Sequence, residues 1–537
     1  MQSLRTADVR RLAPRIVLIL ALLYTICLST LGILAHLGFK TQMNDLGNMD
    51  QAIWLASRGD LAMPQSNTVD GYAHSRLAIH ANFIYWPMAL LYLLWADPRL
   101  LLILTSLACA LAGVGLYALA RLWLGATWWV LVPPLAFWLS PLVHDANLYD
   151  FHIVTVVAAL LVWSVWAFAA ERPRLAWLLL ILAILCNEDV PLMTFMLGLY
   201  LFLRGQRQHG SAVMAVSLLY FLALVDLVPA MNGGEGLSKL DGVDNRFSWL
   251  GNGPLDILKN LLKHPLLVFS HVMNLDHVRL PLYLLASGAG AALGAWPMLL
   301  LMLPQVAAGV LATTWMTRLT GTYYWVTSEA VIIMACILAA QPLLRATPRR
   351  FPWPLAYLGG ATLVFSLILS PLPYGAYAGW QTYALPMDRP TFTAIARMIP
   401  EDASLCVQNN LGPQLSHRRQ ISAIPRGCSN ADYALFQLRY EGGPDTGLFV
   451  RTSDALYQVS PRYLAGAVRR LLLSPDWALI AQSDGFYLFV HHGRPRIARE
   501  LALQQLTGDA TAFESQLRQA ARARSRWARY LAGNVDW

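Results

Sequence analysis

The chain has 537 residues, of which 56% are hydrophobic and only 13% are charged. A soluble globular protein carries about twice that share of charged residues, so the composition excludes this class and indicates several membrane-spanning helices. The formal net charge of +9 is typical of basic cytoplasmic loops and of contact with membrane lipids, and it does not indicate nucleic-acid binding.

The first apolar run covers residues 16–38 and follows four arginines within residues 1–15. This run is too long for the core of a signal peptide, and it lacks a clear cleavage site. We therefore predict a retained first span with a cytoplasmic N-terminus, because Lys and Arg concentrate on the cytoplasmic side of membrane proteins.

Two acids follow the first span, within residues 44–51. Asp45 and Asp50 would lie at the membrane exit, where an acid is costly unless it has a partner or a task. The task that fits best is chemistry on a substrate that the lipid presents at the outer face. The outer loop that begins here, residues 40–99, also contains a short aromatic run at 81–96, which is predicted to lie as a helix in the outer interface.

The arginines of the later loops orient about eleven spans within residues 1–371. The run 175–203 would be roughly 43 Å long as one helix, which exceeds the thickness of a bilayer. We predict two short spans there, with Glu188 and Asp189 between them at the outer face, and a long loop over 231–280. Three acidic motifs then share the outer side: residues 44–51, 144–152 and 187–189.

The composition changes after residue 371. We predict a linker at 372–386 and a small extracytoplasmic α/β domain at 387–537, because short strand-like runs alternate there with helical patterns. The strand-like runs are residues 404–408, 431–438, 478–481 and 485–490. In this domain Cys406 and Cys428 could form one disulfide, but their spacing alone does not decide whether they do.

The sequence resembles, over nearly its whole length, a family of bacterial and archaeal integral membrane proteins of unknown function. The resemblance rests on residues 45–54, 146–152, 187–189, 399–404 and 409–418. That family is in turn similar to the GT-C glycosyltransferases, which take sugars from polyprenyl-phosphate carriers. The resemblance implies a GT-C-like helical fold in the bacterial cytoplasmic membrane, with a C-terminal domain on the periplasmic side.

The layout of the first outer loop carries this wider similarity. GT-C enzymes have an acid after the first span, then a Gly-Asp step and a Pro, then an interfacial helix that contains a Pro; Gly59-Asp60, Pro64 and Trp86-Pro87 follow this order. The chain departs from the pattern at two positions. His80 stands near the place of a common Lys, and Asn187 stands where Lys-Glu-Asp often begins, so two candidate cations for a lipid phosphate are missing.

An inverting sugar transfer needs a base for the acceptor proton and groups that stabilise the departing phosphate. Asp45 is the predicted base, or a metal-bound acid in that role, and Asp50 is the alternative or a supporting partner. A competing interpretation is that one of these acids, or Asn48, caps a helix that begins near Met49.

Further residues are predicted to bind the substrate. Asp150 and His152, beside His144 and Asp145, form a polar cluster that could hold an acceptor hydroxyl or a divalent ion. Acids between apolar runs usually face a cavity, which favours Glu188 and Asp189 as lining the site. The candidate phosphate ligands are Arg76, His80, Arg279 and Arg318, although each could instead contact an ordinary lipid headgroup. The basic residues 417–419 are interpreted as a solvated turn.

The leading hypothesis is a membrane glycosyltransferase that moves one sugar from a polyprenyl-phosphate donor to a glycan, lipid or protein acceptor at the outer face. The sequence identifies no cofactor with certainty, and a divalent cation, Mg²⁺ or Mn²⁺, at Asp45, Asp150 or His152 is compatible with these residue types. The alternatives are a transporter or flippase for a lipid-linked glycan and a non-catalytic envelope assembly protein.

Overall fold

A computed structural model describes residues 2–67, 71–73, 75–231, 246–346, 350–375, 383, 385, 389–424, 428, 431–438 and 461–523. The helices of the first half are α1 Gln2–Leu37, α2 Asn48–Ser57, α3 Tyr85–Tyr92, α4 Pro98–Leu124, α5 Val132–Leu139, α6 Pro141–Leu148, α7 Val154–Ala169, α8 Pro173–Ile184, α9 Val190–Leu203 and α10 Arg207–Met231. Those of the second half are α11 Pro254–Lys263, α12 Pro265–Val272, α13 Leu275–Leu284, α14 Trp296–Leu299, α15 Leu303–Leu311, α16 Val326–Arg345, α17 Trp353–Leu369, α18 Arg389–Ala396, α19 Pro461–Leu473 and α20 Arg499–Ala523.

The strands are short and belong to two sheets. They are β1 Gln65–Asn67, β2 Gly71–Ala73, β3 Leu405–Val407, β4 Ile421–Ala423, β5 Tyr433–Gln437, β6 Trp477–Ser483 and β7 Phe486–His491. β1 and β2 form an antiparallel pair, and the other five form a mixed sheet in the order β4-β3-β5-β7-β6. β3 runs parallel to β4 and β5, whereas β7 runs antiparallel to both of its neighbours.

The prediction of a polytopic helical membrane protein with a small C-terminal α/β region is confirmed. Within the described residues, five helical segments are long and apolar enough to span a bilayer, and five shorter ones are also apolar. The chain divides into two compact units. The first comprises Met1–Thr30, Leu77–Ile84 and Ile103–Ala376, and the second comprises Leu31–Arg76, Tyr85–Leu102 and Tyr377–Trp537. The domain boundaries at 371 and 387 stay a prediction.

The first unit contains most of the apolar helices. α16 is buried along most of its length and is the central helix of this unit. The predicted break near residues 187–189 is confirmed, because α8 ends at Ile184 and α9 starts at Val190. Pro191 suits this start, since proline is tolerated in the first helical turn, where its missing N–H would have no partner.

The prediction of a long loop over 231–280 is wrong from residue 254 onward, where α11, α12 and the start of α13 lie. The abundant Gly and Asn of residues 232–253 masked an apolar pattern at helical spacing that begins with Leu255 and Leu258. Residues 232–245 lie outside the described part of the chain.

The mixed sheet of the second unit is covered on both faces. Successive residues of β7 alternate between two apolar clusters, as a pleated strand requires. Tyr487 and Phe489 pack with α19 and α20. Phe486 and Leu488 pack with α18 and with two residues that follow α1, Phe39 and Met43. The polar segment after the first apolar helix therefore belongs to the core of the second unit.

Cys406 of β3 and Cys428 form a disulfide, whereas Cys27, Cys109, Cys186 and Cys336 are free thiols. The two cysteines are 22 positions apart in the sequence. A disulfide that closes a loop of this length lowers the entropy of the unfolded chain, which stabilises the fold by about 3 kcal/mol.

We expect alkylation of the denatured, unreduced full chain to modify four cysteines and alkylation after reduction to modify six, as read by intact mass. The paired variant Cys406→Ser with Cys428→Ser should show four in both conditions and a lower unfolding temperature. Six modified cysteines in unreduced protein would contradict the pairing.

Candidate functional site

The acids after the first apolar helix lie on a distorted helical segment. Met43–Gly47 forms one turn of π-helix that runs directly into α2. The residue before this turn, Gln42, is extended, and no side chain caps either element. The capping interpretation of Asp45, Asp50 and Asn48 is therefore wrong, because the helix already begins at Met43. Single π-turns are rare and recur at functional sites.

The π-turn is held by a segment of the C-terminal sequence within the second unit. The backbone N–H of Met43 donates to the carbonyl oxygen of Asn409 at 2.7 Å. The N–H of Asn44 donates to the Asn409 side chain at 3.1 Å. A Cβ atom at Gly412 would come within 2.5 Å of the Met43 Cβ, so glycine is needed there for this close approach.

Asp50 is fully buried and its carboxylate has three partners in the second unit. Oδ1 accepts a hydrogen bond from the Tyr92 hydroxyl at 2.6 Å. Oδ2 accepts one from the Ser416 hydroxyl at 2.5 Å and lies 3.0 Å from Nε2 of His417. A buried carboxylate is stable only when its oxygens are paired in this way. We call these four residues the Asp50 cluster.

His417 is the ionisable partner in the Asp50 cluster. Its ring stacks on Trp54 of α2, with centroids 5.3 Å apart and an interplanar angle of 8°. Burial disfavours the charged imidazole, but the Asp50 carboxylate outweighs that effect and raises the pKa of His417. Burial and Asp50 raise the pKa of Tyr92 well above its usual value, so its hydroxyl stays a donor. The interpretation of residues 417–419 as a solvated turn is therefore wrong at His417 and at Arg418, which is buried and donates from Nη1 to the carbonyl oxygen of Ala403.

Asp45 and Asp50 differ in exposure. Asp50 is 0% exposed, whereas Asp45 is half-buried on the π-turn. A base must be reached by the acceptor hydroxyl. A carboxylate whose two oxygens already have three protein partners is poorly suited to that task. Asp45 is therefore the more accessible of the two carboxylates, and Asp50 is held by its protein partners.

In the first unit, Glu188 lies at the break between α8 and α9. Its Oε1 is 2.9 Å from Nδ1 of His80, and its Oε2 accepts the N–H of Ala81 at 3.2 Å. Asp189 accepts a hydrogen bond from the Asn187 side chain at 2.8 Å. Glu188 and His80, which the sequence placed in the site separately, are therefore brought together.

Asp150 and His152 follow α6 in the first unit. Asp150 is buried and has a positive φ of 60°, which is uncommon for a residue other than glycine and costs some energy. The ring of His152 stacks on Tyr323 at 3.4 Å between centroids, and Tyr149 lies 5.3 Å from the same tyrosine ring. His144 instead contacts Ser370 and the carbonyl of Trp138. His144 therefore has an internal structural contact, and His152 faces an aromatic cluster.

The predicted phosphate ligands have different environments. Arg76 is buried in the second unit and donates to the side-chain oxygen of Gln65 at 2.9 Å. This arginine therefore has a structural contact inside the protein. Arg279 is exposed and lies 3.7 Å from Asp276. Arg318 is half-buried and donates from Nη1 to the Ala312 carbonyl at 2.6 Å.

No group of three or more His, Cys, Asp or Glu side chains within the described ranges is arranged to hold a metal ion. Of the metal candidates, Asp45 belongs to the second unit, and Asp150 and His152 belong to the first. Asp150 and His152 thus supply two donors that lie close in sequence, and a bound ion there would need further ligands from water or substrate.

Sequence reasoning missed several residues of the Asp50 cluster, namely Tyr92, Ser416, His417 and the stacking partner Trp54. The signal that was available is the resemblance itself, since two of its motifs, residues 45–54 and 409–418, contain Asp50 and its partners Ser416 and His417. The pairing of these motifs in space could not be inferred from one sequence.

The raised pKa of His417 makes part of the stability depend on pH. The stabilisation from its ion pair with Asp50 is complete below the unfolded pKa of about 6.5 and is lost as pH rises through the raised folded pKa. The ring is 31% exposed, so the effect is about 1 kcal/mol. Thermal unfolding of the purified chain should show lower stability at alkaline pH, and this pH dependence should be weaker in His417→Gln.

Arg419→Gln is the matched control, because it removes a neighbouring positive charge from a side chain that is 80% exposed. It should keep the pH dependence of the wild type. If His417→Gln keeps it as well, the ion pair with Asp50 is not its source.

The whole chain was compared with known protein families, protein sequences and solved structures. No curated protein sequence matches it. Two solved structures align with it at 12% identity, each over 88% of this chain and 97% of the other: ArnT from Cupriavidus metallidurans bound to undecaprenyl phosphate, with a TM-score of 0.47, and the same protein in the apo state, with a TM-score of 0.45. The family described as "Predicted membrane protein (DUF2079)" matches residues 36–440, well over half of the sequence, and the chain belongs to this family.

Proposed function

We propose that this membrane protein is a glycosyltransferase that moves a sugar from a polyprenyl-phosphate donor to a glycan, lipid or protein acceptor at the outer face of the membrane. The observation that carries the proposal is the contrast between two neighbouring acids. Asp50 is buried and fully paired, and Asp45 is half-buried on a π-turn that the backbone of Asn409 fixes.

Asp45 accepts the proton of the acceptor hydroxyl in the proposed reaction. The acceptor oxygen forms a bond to the anomeric carbon of the sugar, on the face opposite the leaving group. The bond from this carbon to the phosphate oxygen breaks, and its electron pair leaves with the polyprenyl phosphate. A fixed backbone around the base lowers the cost of orienting the reactants, and cations near the departing phosphate stabilise its charge.

Two independent features support the location of the proposed site at the outer face of the membrane. Arginines in the short loops orient the spans so that residues 44–51 leave the membrane on the outer side. The disulfide between Cys406 and Cys428 is typical of an oxidising compartment, and the periplasm of bacteria is one. A lipid-linked donor is the substrate class that a site next to a membrane exit can reach.

A transporter for a lipid-linked glycan is the second candidate, and one residue favours it. Glu329 is buried within an apolar helical segment, and acids inside spans often mark transport paths. However, Glu329 lies in the first turn of α16, near the end of the segment. If the protein is a transporter, Glu329→Gln should abolish transport of the lipid-linked glycan and Asp45→Asn should remain active. If it is a glycosyltransferase, activity should instead depend on Asp45.

The test is sugar transfer by the purified full chain, supplied with a panel of polyprenyl-phosphate sugars and with a lipid and glycan extract as the acceptor, and released polyprenyl phosphate is measured by mass spectrometry. We expect Asp45→Asn to reduce release by at least about 100-fold, as loss of a general base commonly does, with an unfolding temperature close to that of the wild type. Loss of the base leaves substrate binding intact, so the effect should appear mainly in kcat.

Asp402→Asn serves as the control, since it replaces an exposed acid of the same unit. Its turnover should equal that of the wild type. Full activity of Asp45→Asn would remove Asp45 from the mechanism and shift the assignment away from the π-turn.

A further inference from the structure

The helices α11 and α12 of the first unit present an unusually apolar surface. Their exposed large side chains, each more than half accessible, are Leu255, Leu258, Leu262, Leu266, Leu267 and Phe269. An apolar stripe of this size on a membrane protein faces acyl chains, and short amphipathic helices with lysines on the other face lie in the membrane interface. Lys259 and Lys263 of α11 instead flank the exposed leucines at the edge of the stripe, where a lysine can extend its ammonium group towards the headgroups.

A pair of histidines lies at the end of this surface. His271 of α12 and His277 of α13 have ring centroids 4.4 Å apart at 84°, and the His271 ring stacks on Trp249 at 4.0 Å. Each ring lies near one backbone carbonyl, that of Leu311 for His271 and that of Val310 for His277. By hydrogen-bond geometry, Nε2 of His271 and Nδ1 of His277 are buried and have no partner among the described residues. Buried polar atoms of this kind call for a partner that is not part of the protein.

Arg318 contributes the charge of this cluster. It makes one hydrogen bond, from Nη1 to the Ala312 carbonyl, and the rest of its guanidinium fork has no other hydrogen bond to the described residues. The turn Trp315–Arg318 packs against α13, the helix that carries His277. In agreement with this packing, burial and Arg318 lower the pKa values of His271 and His277. Asp276 raises the pKa values of Arg318 and His277, and it is exposed and lies 3.7 Å from Arg279.

The balance of charge decides what kind of ligand fits. A metal ion at the two imidazole nitrogens would lie beside the positive guanidinium, which opposes it. A phosphate has the opposite charge, and its oxygens can accept hydrogen bonds from a guanidinium fork and from protonated imidazoles. The lowered pKa values of His271 and His277 then rise on binding, because an anion favours the charged rings.

We propose that His271, His277 and Arg318 bind the phosphate group of a lipid whose hydrocarbon chain lies along the apolar face of α11 and α12. This deepens the proposed function and rests on it, since the lipid of matching chemistry is the polyprenyl phosphate that the transfer reaction releases. α12 carries both His271 and several of the exposed apolar side chains. The proposed contacts to the phosphate and to the hydrocarbon chain of the lipid are therefore next to each other.

The test measures binding to the full chain by native mass spectrometry with three probes: a polyprenyl phosphate, the polyprenyl alcohol of equal length, and inorganic phosphate. We expect the phosphate lipid to bind at least about tenfold more tightly than the alcohol, as one charge-assisted hydrogen bond would provide. Arg318→Gln and His271→Gln should each lose about that factor. Arg174→Gln, which removes an exposed positive charge elsewhere in the first unit, should bind as the wild type does.

Equal binding of the alcohol and the phosphate lipid, or binding unchanged in Arg318→Gln, would overturn the proposal. Binding of inorganic phosphate without the lipid would identify a soluble ligand and overturn the lipid assignment. If Arg318→Gln fails to fold, a photoreactive polyprenyl phosphate on the wild-type chain decides, since its cross-links should map to residues 254–277 and cross-links confined elsewhere would refute the site. No donor sugar is present, so these outcomes are independent of the turnover test on Asp45.

Discussion

The buried carboxylate of Asp50 is the interaction on which the second unit depends most. Taking a carboxylate out of water costs several kcal/mol, and this cost is offset only when both oxygens have well-placed partners. Asp50 meets that condition through Tyr92, Ser416 and His417. These partners come from α3 and from the segment after β3, so one side chain joins parts of the chain that are more than 360 residues apart. Loss of any partner would leave part of a buried charge unpaired.

The Asp50 cluster and the backbone of Asn409 act on opposite ends of the same helical segment. Asn409 fixes the start of the π-turn at Met43 and Asn44, and Asp50 fixes the first turn of α2. Asp45 lies between these two anchors on the sequence. A residue in that position has little freedom to move, and preorganisation of this kind would serve the proposed role of Asp45 as a general base. The C-terminal α/β region therefore also holds the segment that carries Asp45 in place.

Local patterns in the sequence predicted the elements well where one physical signal dominated. The break between α8 and α9 followed from the length of an apolar run and from its acids, and β5 lies within the predicted strand-like run 431–438. Prediction failed where the decisive partner is distant in sequence. His417 looked like part of a solvated basic turn because its partner, Asp50, lies more than 360 positions away. Residues 254–280 looked like a loop because their Gly- and Asn-rich approach hid an amphipathic helix.

The fate of the predicted cations shows why residue type alone does not define a phosphate site. An arginine can serve an incoming anion only when its fork is not already engaged and when it lies near other donors. Arg76 is buried against Gln65 and the ring of Tyr85, and Arg279 is directed at Asp276, so pairing weakens the case for both. Arg318 keeps part of its fork and lies beside two imidazoles whose inner nitrogens lack partners in the described chain. Burial and pairing are visible only in the folded chain, and they favour Arg318 among the three arginines as the proposed phosphate ligand.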